Sequence, residues 1–315
     1  MKTRVTDILG TKYPIVQGGM VYISKAPLTT AVSEAGGLGT IAAGGLTVEQ
    51  LRKEIEIARK LTNKPFGVNI PLLTEFAADL VQVTIDMLVP VVILSAGKPD
   101  KYIPLLKSKG IKVMQVVATV SMAKKVEEAG VDAVIAEGFE GGGHMGLDEL
   151  TTMVLIPQVV DAVNIPVIAA GGIADSRGVV AALALGAEGV QIGTAFAVTE
   201  ESPAHVDYKN AIIQAGDRAT VVTGRSFSMM VRAIKNNFTR QILELEKKGA
   251  SKEEILEYIG TGRSSGALLY GDMEEGSVMS GQIAGMIKDI KRVQDVIEEI
   301  ICGMEKVIGK LQMIK

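Results

Sequence analysis

Residues 165–173 read Ile-Pro-Val-Ile-Ala-Ala-Gly-Gly-Ile, and residues 189–194 read Gly-Val-Gln-Ile-Gly-Thr. Each stretch is a short apolar run that closes in glycine, and a helix-like segment separates the two. Such a run is typical of a buried parallel strand whose last residues turn towards a ligand. Glycine there lets backbone N–H groups approach an anion because no Cβ intervenes. Tight turns alone would also use glycine, but two consecutive ends of this kind favour a phosphate site.

The same alternation runs through the first 200 residues. Each apolar run is followed by a helix-like segment, and the six earlier runs lie at residues 14–20, 39–45, 66–72, 90–97, 112–119 and 133–137. This pattern calls for a parallel sheet with helical crossovers. Eight runs in all fit a closed barrel better than an open doubly wound sheet. We therefore predict an α/β fold, a (β/α)8 TIM barrel, with its phosphate site after strands seven and eight.

Helix boundaries follow from charge patterns and capping residues. Residues 48–61 carry charges on one face, and residues 121–130 begin at Ser121 and end at Gly130 as caps. Further helices are predicted at residues 28–35, 75–87, 152–163 and 286–310, the last of them a closing amphipathic helix.

The composition changes after Thr199, where the alternation stops. We predict that residues 1–200 and 276–315 form the barrel with its closing helix, and that residues 201–275 form a mostly helical insertion or lid. Residues 217–263 contain nine basic and six acidic side chains, an excess of three positive charges. A solvated helical face explains this excess best, although it is also compatible with an acidic partner.

Bulk composition narrows the functional classes. The chain has 315 residues, 47% hydrophobic and 22% charged, with no Trp and a net charge of −3. These values fit a globular protein with a large core and give no reason to expect nucleic acid or membrane partners. The N-terminal residues do not resemble a secretion signal, so a cytoplasmic protein is expected. The single cysteine, Cys302, excludes an internal disulfide and is expected to be a buried helical thiol.

Candidate chemistry lies where the predicted strands end, because barrel enzymes act at the carboxyl ends of their strands. His144 follows three glycines after the sixth strand, a position that suits proton transfer or a hydrogen bond to an oxyanion. An ordinary loop histidine is the alternative. The other histidine, His205, is expected in a surface turn. Polar residues near the other strand ends are Gln17, Asn69, Gln115 and Glu137.

The predicted barrel offers no evident nucleophile. It has no cysteine, no Gly-x-Ser-x-Gly motif and no lysine within an apolar strand. His144 and His205 are far apart in sequence and no acidic cluster accompanies them, which argues against a two-histidine metal site. A phosphate site with few reactive side chains indicates that a phosphorylated cofactor supplies the chemistry.

Six motifs together resemble the flavin-dependent barrel family that joins nitronate monooxygenases with FabK-type enoyl-acyl-carrier-protein reductases. They are Pro-Ile-Val-Gln-Gly-Gly-Met at 14–20, Ala-Gly-Gly-Leu-Gly at 35–39, Pro-Phe-Gly-Val-Asn at 65–69, Ala-Glu-Gly-Phe-Glu-Gly-Gly-Gly-His at 136–144, Ala-Ala-Gly-Gly-Ile-Ala-Asp at 169–175 and Gln-Ile-Gly-Thr at 191–194. After the barrel, residues 231–236 and 276–285 are similar to the reductase branch. The barrel motifs themselves are shared by both branches.

The resemblance implies an FMN site and an active-site histidine, His144. FMN would be held by the backbone at Gly19 and Met20 and by the side chains of Asn69 and Glu137, with Gln115 a further contact. Its phosphate would lie against Gly142, Gly171, Gly172, Gln191, Gly193 and Thr194. In the reductase branch, NADH or NADPH reduces FMN, which passes hydride to a trans-2-enoyl thioester, free or linked to acyl carrier protein, in fatty-acid synthesis.

Two alternatives remain open at this point. A nitronate monooxygenase (2-nitropropane dioxygenase-like) would use the same flavin and histidine to oxidise alkyl nitronates with O2. A flavin-free phosphate-binding barrel would act as a lyase, carrier or scaffold. Inosine monophosphate dehydrogenase has a similar barrel but needs a loop cysteine, which this barrel lacks. We also expect a homodimer, and we predict that Arg232 and Lys235 help to dock acidic acyl carrier protein.

Overall fold

The computed structural model describes residues 1–314, and eight parallel strands form its centre. The barrel strands are β1 (Ile15–Gln17), β2 (Gly39–Ala42), β3 (Phe66–Pro71), β4 (Val91–Ser95), β5 (Lys112–Val117), β6 (Ala133–Glu137), β8 (Val167–Ala170) and β9 (Gly189–Ile192), while β7 (Gly143–His144), β10 (Thr220–Thr223) and β11 (Val231–Ile234) form a second sheet. The barrel order is β1-β9-β8-β6-β5-β4-β3-β2. Hydrogen bonds of 2.8 and 2.9 Å between Leu38 and residues Ile15 and Gln17 bring its two edges together. The predicted (β/α)8 barrel is confirmed.

Most of the helices follow the barrel strands in sequence, one precedes the first strand, and the others belong to the segment after the barrel. They are α1 (Arg4–Leu9), α2 (Ala26–Glu34), α3 (Val48–Leu61), α4 (Ala77–Asp86), α5 (Ile103–Lys107), α6 (Val120–Glu128), α7 (Thr152–Val160), α8 (Ser176–Ala184), α9 (Thr194–Ala197), α10 (Val206–Ile213), α11 (Asn237–Lys247), α12 (Lys252–Ile259), α13 (Arg263–Tyr270) and α14 (Val293–Gln312). Helix α3 has the predicted bounds. It begins at a capping box of Thr47 and Gln50 and buries Leu51, Ile55 and Ala58 at helical spacing. Within residues 1–314, no helix has both the length and the apolar character needed to cross a bilayer.

Two hydrophobic layers hold the barrel. Its interior contains a small cluster that includes Ile93, Ile135 and Ile168, and α1 contributes Val5 and Leu9 to this cluster. The sequence analysis did not identify α1. A much larger cluster fills the space between the strands and the surrounding helices. Because strand side chains alternate between these layers, a residue's position in its strand decides whether it faces the interior or the helices.

Two predicted helix starts are wrong. Helix α6 begins one residue earlier than Ser121, because Thr119 accepts a hydrogen bond from the Met122 N–H and acts as the cap. The closing helix begins at Val293 rather than at residue 286. Its first N–H groups are unsatisfied within the helix, and the Glu201 carboxylate accepts from the N–H of Val293 at 3.0 Å.

Cys302 is exposed, which contradicts the prediction of a buried thiol. The buried stripe of α14 includes Ile297, Ile300 and Met304. A residue two positions after Ile300 is rotated by about 200° from it, so it falls on the outer face.

The segment after the barrel contains a β-hairpin as well as helices. Strands β10 and β11 pair antiparallel, and β11 pairs with β7 in the same sheet. Tyr208 packs in the same hydrophobic core as the barrel helices, whereas Phe238, Ile242 and Ile255 form a separate small cluster. The limits given above for an insertion at residues 201–275 therefore stay a prediction.

The close contact between β2 and α2 predicts that alanine substitutions at two glycines change the free energy of unfolding in opposite directions. A Cβ added at Gly39 would overlap the carbonyl oxygen of Thr29. At Gly309, in α14, such an atom would have nothing within 4 Å among residues 1–314 apart from the neighbouring backbone of its own helix. We expect Gly39→Ala to lower the free energy of unfolding by at least about 2 kcal/mol through overpacking. Gly309→Ala should raise it by about 0.5–1 kcal/mol, since alanine favours helix. Urea unfolding of both variants measures this, and equal stability of Gly39→Ala and wild type would contradict it.

Candidate active site

Three polar side chains lie on the interior face of the strands at their carboxyl ends. Glu137 follows the interior residue Ile135 by two positions, and Asn69 is paired with the interior residue Ile93. Both Glu137 and Gln191 are paired with Ala170, another member of the interior cluster. Paired residues of neighbouring strands point to the same face. The barrel mouth therefore has a polar rim above an apolar interior.

Gln115 is not brought to this rim. It lies between the interior residues Met114 and Val116, on the face of β5 that Val113 and Val117 direct into the outer core. Its amide donates to the Val116 carbonyl at 3.1 Å, and its Oε1 has no hydrogen-bond partner within residues 1–314. The strand's alternation separates it from the other residues that the resemblance implied.

The loop after β1 lies directly against β3 and β9. The N–H of Gly18 donates to the Ile192 carbonyl at 2.9 Å, and a Cβ at Gly19 would lie 2.5 Å from the Cβ of Asn69. The Met20 sulfur would be 3.8 Å from a Cβ at Gly193. These contacts bring together four of the residues expected to bind the cofactor.

The ends of β6 and β8 are in backbone contact. Gly171 and Gly172 have φ values of +87° and +71°, in the left-handed region that glycine adopts without strain. A Cβ at Gly171 would lie 2.6 Å from the Gly138 carbonyl oxygen, so a side chain is excluded there for steric reasons as well. The Thr152 hydroxyl lies 2.9 Å from the Gly171 carbonyl oxygen and 3.0 Å from the Glu140 carboxylate.

A segment that the sequence analysis did not place in the cofactor site joins two of the predicted phosphate ligands. The N–H of Gly281 donates to Thr194 Oγ1 at 3.0 Å, and a Cβ at Gly142 would lie 2.5 Å from the Gly281 nitrogen. The Gln282 N–H donates to the Glu140 carbonyl at 3.0 Å. The glycines at residues 276–285 were the sequence signal for this close packing.

His144 is part of a strand rather than of a free loop. As the second residue of β7 it is paired with Val231 of β11, and Gly143 is paired with Arg232. The side chain keeps part of its surface in solvent, but the protein atoms around it displace water and hold its pKa below the ordinary 6.5. His144 is therefore neutral at pH 7. The other histidine, His205, caps α10 by accepting from the Asp207 N–H at 3.2 Å.

Burial also changes the ionisation of Glu137. Its carboxyl group lies near Gly141, where a Cβ would be 2.9 Å from Oε1, and desolvation raises its pKa to about 7. Near neutral pH this carboxyl is thus partly protonated. The end of β6 and the segment after it therefore carry a carboxyl group that can donate or accept a hydrogen bond and a neutral imidazole.

Arg232 does not have the surface role predicted for it. Only 3% of the residue is exposed, and its guanidinium donates to the Phe139 carbonyl and to Thr220 Oγ1. Lys235 is exposed, and its ammonium group donates a hydrogen bond to the Arg218 carbonyl oxygen. The prediction that Arg232 docks an acidic carrier protein is wrong, because its charge is directed inwards.

Comparison with known proteins identifies relatives over most of the chain. A family model described as nitronate monooxygenase matches residues 2–303. A probable nitronate monooxygenase of Staphylococcus saprophyticus is 39% identical, over 78% of this chain and 82% of that protein. The structure of FabK from Thermotoga maritima superposes with a TM-score of 0.96 at 49% identity, over 99% of both chains. A nitroalkane oxidase from Streptomyces ansochromogenes superposes with a TM-score of 0.86 at 30% identity, over 98% of this chain and all of that one.

The raised pKa of Glu137 predicts a pH-dependent stability in cofactor-free protein. An unfolded glutamate has a pKa of 4.5, so the folded state binds this proton more tightly. Stability from this group is complete below pH 4.5 and is lost as the pH rises to about 7, by about 1.4 kcal/mol per unit and about 3 kcal/mol in total. Glu137→Gln should remove this loss.

The measurement is the free energy of unfolding between pH 5 and pH 8 for wild type and Glu137→Gln. The exposed Glu128→Gln serves as the matched control and should keep the wild-type slope. Parallel pH profiles for wild type and Glu137→Gln would show that Glu137 titrates normally.

Proposed function

We propose that this chain, which belongs to the nitronate monooxygenase family of flavin-dependent oxidoreductases, is an FMN-dependent enoyl thioester reductase. Its substrates are trans-2-enoyl thioesters, above all those carried by acyl carrier protein in fatty-acid synthesis, and its reductant is NADH or NADPH. The 49% identity with FabK along 99% of both chains supports this assignment. Family membership also argues against a flavin-free scaffold.

The observation that carries the proposal is the position of the two stretches that resemble the reductase branch. Residues 231–236 contribute β11, whose Val231 is paired with His144. Residues 276–285 pack on the same strand, with the Ile234 N–H donating to the Val278 carbonyl at 2.8 Å. Both stretches adjoin the histidine, where they would shape the substrate site. If the two branches take different substrates, their sequences are expected to differ in the stretches that contact the substrate.

Apolar side chains around the mouth favour a substrate with a hydrocarbon chain. They project from the loops after β3 and β6 and from the hairpin between β10 and β11, and the large exposed ones are Leu73, Phe76, Leu147 and Met229. Burying such groups against an acyl chain contributes about 25 cal/mol per Å² of apolar surface. A small nitronate would leave most of this surface in water.

The residues at the mouth fit a flavin phosphate and ring edge. Gln191, on the interior face beside Ala170, has a buried Oε1 with no hydrogen-bond partner within residues 1–314, so this atom is free to accept from a ligand at the mouth. Gly142, Gly171, Gly172, Gly193 and Thr194 would hold the phosphate, while Gly19, Met20, Asn69 and Glu137 would line the ring. When bound, FMN supplies two-electron transfer between the reduced nicotinamide and the double bond of the substrate.

The neutral imidazole of His144 provides the polar contribution to the reaction. Reduction of an enoyl thioester adds a hydride to its β-carbon and a proton to its α-carbon, and negative charge develops on the thioester oxygen between these events. A neutral imidazole N–H donates a hydrogen bond to that oxygen without requiring a charged group in a desolvated site. A nearby donor then supplies the proton, because a neutral imidazole that released its N–H proton would become an imidazolate.

A nitronate monooxygenase is the second candidate, favoured by the family model across residues 2–303. In that reaction the same histidine would act on an alkyl nitronate, with O2 as oxidant.

We expect anaerobic stopped-flow mixing to show flavin reduction by NADH or NADPH, followed by rapid reoxidation with crotonyl thioester. Rapid oxygen-dependent turnover of propyl-2-nitronate without any enoyl reduction would reverse the assignment.

Replacement of His144 tests its role in the reaction. His144→Ala should lower kcat by about 100-fold or more, the usual contribution of a positioned acid or hydrogen-bond donor. FMN content should stay at the wild-type level, because the proposed phosphate contacts lie on other residues.

The matched control is His205→Ala, which removes the chain's other histidine at the start of α10. This variant should retain wild-type turnover. Full activity of His144→Ala would show that the imidazole does not take part in the reaction.

A further inference from the structure

The side chain of Arg232 holds the beginning of the turn that leads to His144. Its Nη2 and Nε donate to the Phe139 carbonyl at 2.8 and 3.3 Å, and its Nη1 donates to Thr220 Oγ1 at 3.3 Å. The guanidinium carbon also lies 4.7 Å from the centroid of the Phe139 ring, within the range of a cation–π contact. One side chain thus fixes both the main chain and the ring of Phe139.

The backbone of the same residue holds the end of the turn. Arg232 is paired with Gly143, and its neighbour Val231 is paired with His144. The next ladder contact is the Met145 N–H on the Met230 carbonyl at 3.3 Å. The glycine-rich turn between Phe139 and His144 is therefore fixed at both ends by β11.

Other charged residues surround this arrangement. Arg225 lies over the same Phe139 ring at 5.8 Å and pairs with Glu149 at 2.6 Å. Glu140 and Glu149 favour the charged form of Arg232, whereas Arg225 and burial disfavour it, and burial is the largest effect and lowers its pKa. The hydrogen bonds of Arg232 itself go to neutral oxygens.

A buried guanidinium is a costly way to stabilise a fold. Removing a charge from water costs several kcal/mol, and well-packed apolar residues are often as stable or more so. Planar, forked donors do provide geometric specificity that an apolar side chain lacks. The energetic cost therefore indicates a role in placing the turn rather than in stability alone.

We infer that Arg232 is a positioning residue that sets the location of the His144 imidazole at the barrel mouth. The inference rests on the proposed function only in assigning His144 to the reacting centre. A displacement of about 1 Å at such a group lowers turnover by up to about 100-fold. The placement of the imidazole can be measured without any substrate.

The test compares Arg232→Met and Arg232→Lys with Arg240→Met, which removes an exposed arginine of α11. The holoenzymes are labelled with ¹⁵N-histidine. Only two histidines occur in the chain, so the His144 ring signals are followed by NMR against those of His205 as an internal control. FMN content, kcat and KM are measured in parallel, with whichever of crotonyl thioester or propyl-2-nitronate the wild type turns over.

In both Arg232 variants the pKa of His144 should rise towards 6.5. The ring signals of His205 and the FMN content should stay as in wild type. Their kcat should fall about 10- to 100-fold, with KM changing less than about threefold. Lysine keeps the charge but lacks the fork and the plane, so a shift in Arg232→Lys identifies positioning. If Arg232→Met does not fold, the His144 titration and the kcat of Arg232→Lys decide the test.

Two outcomes overturn the inference. If Arg232→Lys matches wild type while Arg232→Met does not, Arg232 acts through its charge and not through its geometry. If both variants match Arg240→Met, Arg232 has no influence on His144. Failure of the wild type to reduce enoyl thioesters would overturn the proposed function instead, and would leave the NMR comparison valid.

Discussion

The candidate site depends on direct backbone contact between the turn after β6 and the end of β8. The N–H of Gly138 donates to the Ala170 carbonyl at 2.9 Å, and a side chain at Gly171 would collide with the Gly138 oxygen. This contact leaves no room for atoms between the strand ends. It therefore fixes where the chain leaves β6, and with it the start of the segment that carries Glu140 and His144.

The second constraint on that segment comes from outside the barrel. Strand β11 pairs with β7, and the N–H groups of Gly281 and Gln282 donate to Thr194 and Glu140 from the other side. Protein atoms then surround the mouth closely enough to raise the pKa of Glu137 to about 7 and to lower that of His144. At neutral pH the imidazole is therefore uncharged and about half of the Glu137 carboxyl is protonated. Low polarity of this kind strengthens each hydrogen bond made to a reacting oxygen.

Much of the fold could be predicted because its signals are local. Buried parallel strands require apolar runs of about five residues, and helices such as α3 show a cap and an apolar stripe within one segment. The larger errors occur where the partner is distant in sequence. Helix α14 begins where Glu201 caps it, and β10 and β11 were not distinguished from helix before their pairing with each other and with β7 was visible.

Three features are predictable from local sequence: the barrel, the glycines at the ends of β8 and β9, and one histidine beside a glycine run. These follow from the periodicity and conformational freedom of neighbouring residues. Three other features arise only on folding: Gln115 faces the outer core, Arg232 is buried, and His144 is part of a strand. Each of those outcomes depends on register and pairing between segments far apart in the chain. No local pattern encodes such pairing, because its energy comes from groups that meet only after folding.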